Sequence, residues 1–71
     1  MKKIGRIVSY DGYNGKIIDN NQTIYDLYKK NIIDDVKNGD MVIFDAEKYD
    51  GVEVNKNVAM FVRKYDDQKK D

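Results

Sequence analysis

The chain has 71 residues, with 13 basic and 13 acidic side chains and therefore no net charge. This length allows one small domain, and the balanced charge argues against a non-specific binder of duplex DNA, which needs a strongly basic surface. Cysteine and histidine are both absent, which excludes disulfide bonds, thiolate metal sites and the commonest general base.

The sequence lacks the features of a membrane or secreted protein. No apolar run approaches the ~20 residues of a membrane span, and the basic start is not followed by the apolar stretch of a signal peptide. We therefore expect a cytoplasmic protein that does not contact a membrane.

Charge is divided unevenly along the chain. Residues 1–30 hold six basic and three acidic side chains, a net +3, and residues 31–71 hold seven and ten, a net −3. A basic binding face opposite an acidic, solubilising face would produce this asymmetry. A mixed surface with a chance imbalance would also produce it, and charge alone favours this second interpretation.

The first third of the chain predicts two strands joined by an unusual loop. Residues 3–10 are rich in β-branched and aromatic side chains with a mixed alternation, which indicates a strand. Two turn dipeptides follow, Asp11-Gly12 and Asn14-Gly15, with one tyrosine between them. A single such dipeptide makes a tight hairpin, so two predict a loop with its own geometry before a short strand at residues 15–19.

A third strand is predicted after a turn at residues 19–22, where aspartate and asparagine tolerate left-handed backbone. It covers residues 23–28. Strand alternation places Ile24, Asp26 and Tyr28 on one face and the other three side chains on the opposite face.

The longest connection covers residues 29–40. Ile32, Ile33 and Val36 are spaced to give one short helical turn with an apolar side, although the segment is too short for a stable helix. Asn38-Gly39 ends it with a turn signal.

The rest of the chain predicts two more strands and a tail. Residues 41–50 are predicted to begin as a fourth strand, which ends in a turn at residues 49–51. A fifth strand follows at residues 52–62, split or bulged near 55–57, and residues 65–71 form a charged, frayed tail.

Five short strands, one long connection and no proline predict an all-β fold. The outline suits a small five-stranded antiparallel Greek-key barrel of the OB type, formed by residues 1–64.

Several segments resemble the bacterial cold-shock domain. Residues 5–11, GRIVSYD, followed by Asn14-Gly15, are similar to the opening of that family, and residues 24–28, IYDLY, are similar to its V-F-V-H-F motif. Residues 36–51 resemble its L-x-x-G-x-x-V-x-F segment, and Asn57-Val58 its late N-V pair. The resemblance implies an OB barrel that binds single-stranded RNA or DNA on the outer faces of its first strands.

The chain departs from that family at positions that matter for binding. Ser9 stands where the family has tryptophan, residues 16–18 replace an F-G-F motif, Asn14 replaces a lysine, and Leu27 stands where it has histidine. Residues 38–51 also resemble part of the S1-like bacterial translation initiation factor, another RNA-binding OB barrel. The S1-like relationship is therefore kept as an alternative.

Single-strand binders combine aromatic platforms with basic groups along the backbone. Tyrosines on the second and third strands would stack bases, and nearby lysines would meet phosphates. The other interpretation is that the tyrosines are barrel residues with solvated hydroxyls and the lysines are solvated strand residues. The predicted nucleic-acid-binding residues are Arg6, Tyr10, Tyr13, Lys16, Ile18, Tyr25, Leu27, Tyr28, Lys29 and Lys30.

A second hypothesis, suggested by the missing aromatic residues and the zero net charge, is a barrel that has lost nucleic-acid binding and contacts a protein partner. An apolar patch around Ile17, Ile18 and Leu27, or self-association, would favour it. In either case we expect a monomer or a weak homodimer. We predict no cofactor, no metal site and no enzymatic activity, because the acidic pairs at 34–35 and 66–67 lack the spacing of a calcium loop and a serine nucleophile would lack its usual base.

Overall fold

The computed structural model describes residues 2–50 and 55–65. Five strands close into a barrel in the order β1-β2-β3-β5-β4, with β4 returning to β1. The predicted all-β, five-stranded barrel is confirmed, and its strand order is consistent with the OB type. The strands are β1 (Lys2–Tyr10), β2 (Asn14–Asp19), β3 (Ile24–Tyr28), β4 (Met41–Asp50) and β5 (Asn55–Lys64).

One junction of the barrel is parallel, so the predicted antiparallel arrangement is confirmed only in part. β3 and β5 run in the same direction, with Asp26 opposite Val58, whereas the other four neighbouring pairs are antiparallel. The physical reason is parity. Strand direction cannot alternate all the way round a closed ring with an odd number of strands, so at least one pair must be parallel.

The core is formed by side chains that alternate inward along the strands. Tyr25 and Phe44 meet edge to face inside it, with ring centroids 5.0 Å apart, a favourable arrangement for two aromatic rings. The buried apolar cluster contains Ile7, Ile17, Tyr25, Leu27, Val36, Val42, Phe44, Ala59 and Val62.

Two bulges interrupt the alternation. In β1 the register shifts between Ile7 and Ser9, so Val8 is an extra residue and lies 50% exposed. In β5 two residues, Phe61 and Val62, lie opposite one residue of β4. The bulge predicted near residues 55–57 is therefore wrong for the described part of β5, because the register there is regular.

The connection between β3 and β4 closes one end of the barrel. A single 3₁₀ turn lies at Lys29–Asn31, earlier than the helical turn predicted from the isoleucines. Ile32 instead pairs with Val62 of β5, and Val36 enters the core while Ile33 faces solvent. Tertiary contacts have therefore replaced the expected turn with an extended segment.

Some predictions fall outside the described residues. These are the end of the turn at 49–51, the start of the fifth strand at 52–54, and residues 66–71 of the tail. Within the part that is described, no helix is long and apolar enough to cross a membrane.

Candidate nucleic-acid interface

The β1–β2 loop is held by the side chain of Asp11. Its Oδ1 accepts the backbone N–H groups of Asn14 and Tyr13, each at 2.9 Å, and these hydrogen bonds lower the pKa of Asp11. Gly12 takes the left-handed conformation, with φ of 98°, which glycine adopts without steric cost. The loop therefore has one glycine turn, fixed by a carboxylate.

The second predicted turn dipeptide is not a turn, because Asn14 and Gly15 already belong to β2. Gly15 is required there for a different reason. A Cβ at this position would collide with the carbonyl oxygen of Ser9 and lie 2.9 Å from Cα of Tyr10. The absent side chain therefore lets β1 and β2 approach closely where the loop begins.

A groove crosses the outer surface of β2 and β3, and we call it the Tyr28 groove. Strand register places Lys16 opposite Asp26, and Asn14 opposite Tyr28. Lys56 reaches it from the neighbouring strand β5. The residues that line it are Ser9, Asn14, Gly15, Lys16, Asp26, Tyr28 and Lys56.

An ion pair forms part of the floor of the Tyr28 groove. Nζ of Lys16 lies 2.6 Å from Oδ1 of Asp26. The lysine side chain is 53% exposed and the aspartate side chain only 19%. The carboxylate is thus set into the surface, and the lysine that neutralises it remains open to solvent.

Lys56 holds the hydroxyl group of Tyr28 without covering its ring. Nζ of Lys56 donates a hydrogen bond to that hydroxyl at 3.1 Å and lies 5.7 Å from the ring centroid. The C–O bond of Tyr28 points directly away from the ring centre. The distances from Nζ to the hydroxyl oxygen and to the ring centroid therefore place the ammonium beyond that oxygen, at the edge of the ring and not over its face. The hydrogen bond raises the pKa of Lys56, which therefore stays charged.

A second depression adjoins the Tyr28 groove on the β5 side, and we call it the Met60 hollow. Tyr28 and Lys56 form the wall between the two depressions, since they line both. The hollow also contains Lys30, Asn31, Val58 and Met60. A tyrosine that lines two adjoining depressions, with lysines beside it, offers a surface on which an unpaired base can stack.

Tyr13 and Lys29 lie at the loop end of the same surface. The backbone N–H of Lys29 donates to the carbonyl oxygen of Tyr13 at 2.9 Å. Nζ of Lys29 lies 5.6 Å from the centroid of the Tyr13 ring, within the range of a cation–π contact. The ring is 70% exposed, so it is a second aromatic surface near the groove.

Half of the predicted binding residues therefore lie together. Tyr28, Lys16 and Lys30 line the two depressions, and Tyr13 and Lys29 lie at their loop end. Sequence reasoning missed Asp26, Lys56 and Met60. Alternation already placed Asp26 beside Tyr28, but the contribution of β5 depends on the parallel pairing with β3, for which the sequence carries no local signal.

Two predicted binding residues are corrected by the structure. Tyr25 is 5% exposed and Leu27 is fully buried, because both point inward from β3 while Tyr28 points outward. A base cannot stack on either side chain. The surface patch around Ile17, Ile18 and Leu27 that would favour the second hypothesis is not formed, since Ile17 and Leu27 are fully buried and only Ile18 of the three reaches the surface.

The remaining predicted residues lie elsewhere on the barrel. Tyr10 packs partly against the core and lines a separate depression with Lys29, Asp34 and Asp35. Arg6 donates a hydrogen bond to the carbonyl oxygen of Gly39 at 3.2 Å.

Arg6 and Ile18 face each other across β1 and β2, in a row that continues to Ile24 of β3 and Met41 of β4. Ile18 and Ile24 lie on the same outer face of β2 and β3 as Lys16 and Asp26, one outward-facing residue pair further along the strands, but they line neither the Tyr28 groove nor the Met60 hollow.

The turn that joins β2 to β3 is organised by a buried carboxylate. Asp19 is 7% exposed and accepts hydrogen bonds from the N–H groups of Asn21 and Thr23 and from the hydroxyl of Tyr25, at 2.9, 2.9 and 3.0 Å. Burial alone would raise the pKa of Asp19, but these hydrogen bonds outweigh it and the pKa is lowered.

The pKa of Tyr25 is raised, first by the burial of its hydroxyl group and then by the hydrogen bond to Asp19 and the negative charge of that carboxylate. Tyr25 thus has a structural role: its hydroxyl fixes the strands that carry the groove.

No protein-family model matches the chain, and no curated protein matches it. Across the described residues, no group of three or more acidic side chains is placed to hold a metal ion. The function of the surface is therefore interpreted from its own side chains.

Proposed function

We propose that the chain is a cytoplasmic protein that binds single-stranded RNA or DNA across the Tyr28 groove and the Met60 hollow. The observation that carries this proposal is Tyr28, a half-buried tyrosine that lines both depressions together with Lys56, with Lys16 in one depression and Lys30 in the other. OB barrels bind oligonucleotides on the face of their second and third strands and on adjoining loops. The groove occupies that face.

The chemistry favours a single strand over a duplex. A base on Tyr28 must be unpaired, because stacking on a side chain requires an exposed base face. The lysines at the rims can each contact a phosphate, but the chain has no net charge and Asp26 lies among them. We therefore expect modest affinity, and binding without catalysis. The resemblance to cold-shock domains agrees with this proposal, although Tyr28, and not Tyr25, would be the aromatic platform.

The test is fluorescence anisotropy of labelled single-stranded oligonucleotides with the wild type and Tyr28→Ala. Each stacked base contributes roughly 1–3 kcal/mol, so we expect Tyr28→Ala to weaken binding at least about fivefold. Tyr65→Ala is the matched control, because Tyr65 is also partly exposed and lines neither depression. Affinity should fall with salt, with a logarithmic slope near −0.7 for each phosphate contacted.

Equal losses in the two tyrosine variants would contradict the stacking mechanism. Absence of binding at low salt would contradict the proposal as a whole. Competition by duplex as strong as that by single strands would contradict its preference for unpaired bases.

A second candidate function is contact with a protein partner. The observation that favours it is an apolar outer surface on four strands, where Ile4 and Ile24 are 39% and 49% exposed and Ile18, Met41 and Ile43 are half-buried. An exposed patch of this kind is a common mark of an interaction site.

Sedimentation of the wild type and of Ile24→Lys at increasing concentration would test self-association through this surface. Concentration-dependent association that Ile24→Lys abolishes would support the second function. If the protein is a monomer at all concentrations, the partner of this surface cannot be a second copy of the chain.

A further inference from the structure

We infer that the Tyr28 groove prefers guanine, with Asp26 as the residue that determines the preference. This inference rests on the proposed function, because it concerns the base that stacks on Tyr28. It adds a specificity that neither the aromatic ring nor the lysines can supply, since stacking accepts every base and phosphate contacts carry no sequence information.

The position of Asp26 is suited to contact the edge of a base. It lies two residues before Tyr28 on the outer face of β3 and lines the same groove. Oδ1 is held by Lys16 at 2.6 Å, which fixes the carboxylate in the floor. Among the described residues, none donates a hydrogen bond to Oδ2.

A carboxylate discriminates between bases because it only accepts hydrogen bonds when ionised. Guanine presents two adjacent donors on its Watson–Crick edge, N1–H and the N2 amino group, and these can meet both oxygens of one carboxylate. Uracil and thymine present a single N3–H between two carbonyl oxygens, which the carboxylate repels. Adenine and cytosine present one amino group beside a ring nitrogen that is itself an acceptor.

The ion pair makes such a contact compatible with a polyanionic ligand. An isolated carboxylate in the groove would repel the phosphates of the strand. Lys16 neutralises Asp26, and because each carboxylate oxygen can accept two hydrogen bonds, the ammonium can keep its contact with Oδ1 while guanine donates one hydrogen bond to each oxygen. Charged hydrogen-bond pairs of this kind are stronger than neutral ones.

The other interpretation is that Lys16 and Asp26 form only a surface ion pair, which stabilises a protein by about 0–1 kcal/mol. That interpretation predicts a small effect on folding and no effect on base preference. The two interpretations therefore differ in a quantity that can be measured directly.

The experiment uses short labelled oligouridylates with one variable central base: guanine, inosine, adenine, cytosine or uracil. Inosine is the matched probe, because it lacks only the N2 amino group of guanine. By anisotropy at low salt we expect guanine to bind about tenfold more tightly than uracil, with inosine between them, since a good bidentate contact discriminates by roughly 1–3 kcal/mol.

In Asp26→Asn the preference for guanine should fall to about twofold or less. In Asp45→Asn it should persist, because Asp45 also pairs with a lysine, Lys2 at 3.4 Å, but lies outside the groove. Equal affinity for all five oligonucleotides, or a guanine preference that survives Asp26→Asn, would overturn the inference and leave the proposed function standing. Absence of binding to every oligonucleotide would overturn both.

Discussion

Asp19 shows how a single residue can organise the turn next to the face that carries the candidate site. Its carboxylate accepts three hydrogen bonds at the β2–β3 turn, from two backbone N–H groups and the hydroxyl of Tyr25. Burying an ionised carboxylate is unfavourable unless such partners are present. Tyr25 is therefore tied to the turn, and Tyr28, three residues later, is held at the surface.

The lowered pKa of Asp19 makes the stability of the barrel depend on pH. A native pKa below the ordinary value of 3.8 means that the folded state binds fewer protons near that pH. The stabilisation is complete above pH ~4 and is lost as the pH falls through the native pKa. We expect Asp19→Asn to lower the free energy of unfolding by about 2 kcal/mol at pH 7 and by progressively less in acid.

Urea denaturation of the wild type and Asp19→Asn between pH 7 and 2.5 measures this difference. Asp45→Asn serves as the control, because a surface ion pair stabilises by about 1 kcal/mol at most. A difference between wild type and Asp19→Asn that does not change with pH would show that the native carboxylate does not provide the stabilisation.

At the scale of the strand, the bulge in β5 carries an unusual residue. Phe61 has a φ of 54° and a 59% exposed side chain. Bulges of this kind usually have glycine at the left-handed position, because a Cβ there costs roughly 1–2 kcal/mol. The exposed ring recovers little of that cost by burial.

We therefore expect Phe61→Gly to raise the free energy of unfolding by about 0.5–1 kcal/mol, part of the strain being offset by the added freedom of glycine in the unfolded chain. Arg63→Gly, in the same strand with ordinary backbone, should lower it by about 1 kcal/mol. Chemical denaturation of both variants gives the comparison. Destabilisation of similar size in both would mean that the Phe61 side chain stabilises the fold more than its backbone strains it.

The first three strands could be predicted within one residue at each end, since β-branched residues, turn signals and alternation are local features. Alternation also separated Asp26 and Tyr28 from the inward side chains of β3. The positions of the bulges could not be predicted from the sequence. A bulge arises where two paired strands have different numbers of residues between the same two points of the sheet, and no single segment contains that information. The helical turn was misplaced because contacts of Ile32 and Val36 with the barrel outweighed a weak local preference.

The cold-shock resemblance predicted the barrel better than it predicted the binding residues. A shift of one residue moves every side chain of a strand to the other face. The match of IYDLY to the family motif was made on residue type, and it selected Tyr25 and Leu27, which the alternation of β3 turns inward. Residue type alone cannot distinguish an aromatic that binds from one that packs.

At the scale of the whole molecule, closure of the barrel assembles the candidate site from distant parts of the chain. The uneven division of charge along the sequence does not correspond to two faces: Lys16 and Lys30 come from the basic part and Lys56 from the acidic part. Lys56 reaches Tyr28 only because β3 and β5 are parallel neighbours. Parity required one parallel pair, but the position of that pair is a property of the complete fold.

We propose that single-stranded nucleic acid occupies the Tyr28 groove and the Met60 hollow. The most direct test is a titration of the ¹⁵N-labelled protein with a short single-stranded oligonucleotide, followed by the backbone amide resonances. We expect the shifts to concentrate at Lys16, Asp26, Tyr28, Lys30 and Lys56. Shifts confined to the outer surface around Ile4, Ile18 and Ile24, or no shifts at low salt, would contradict it.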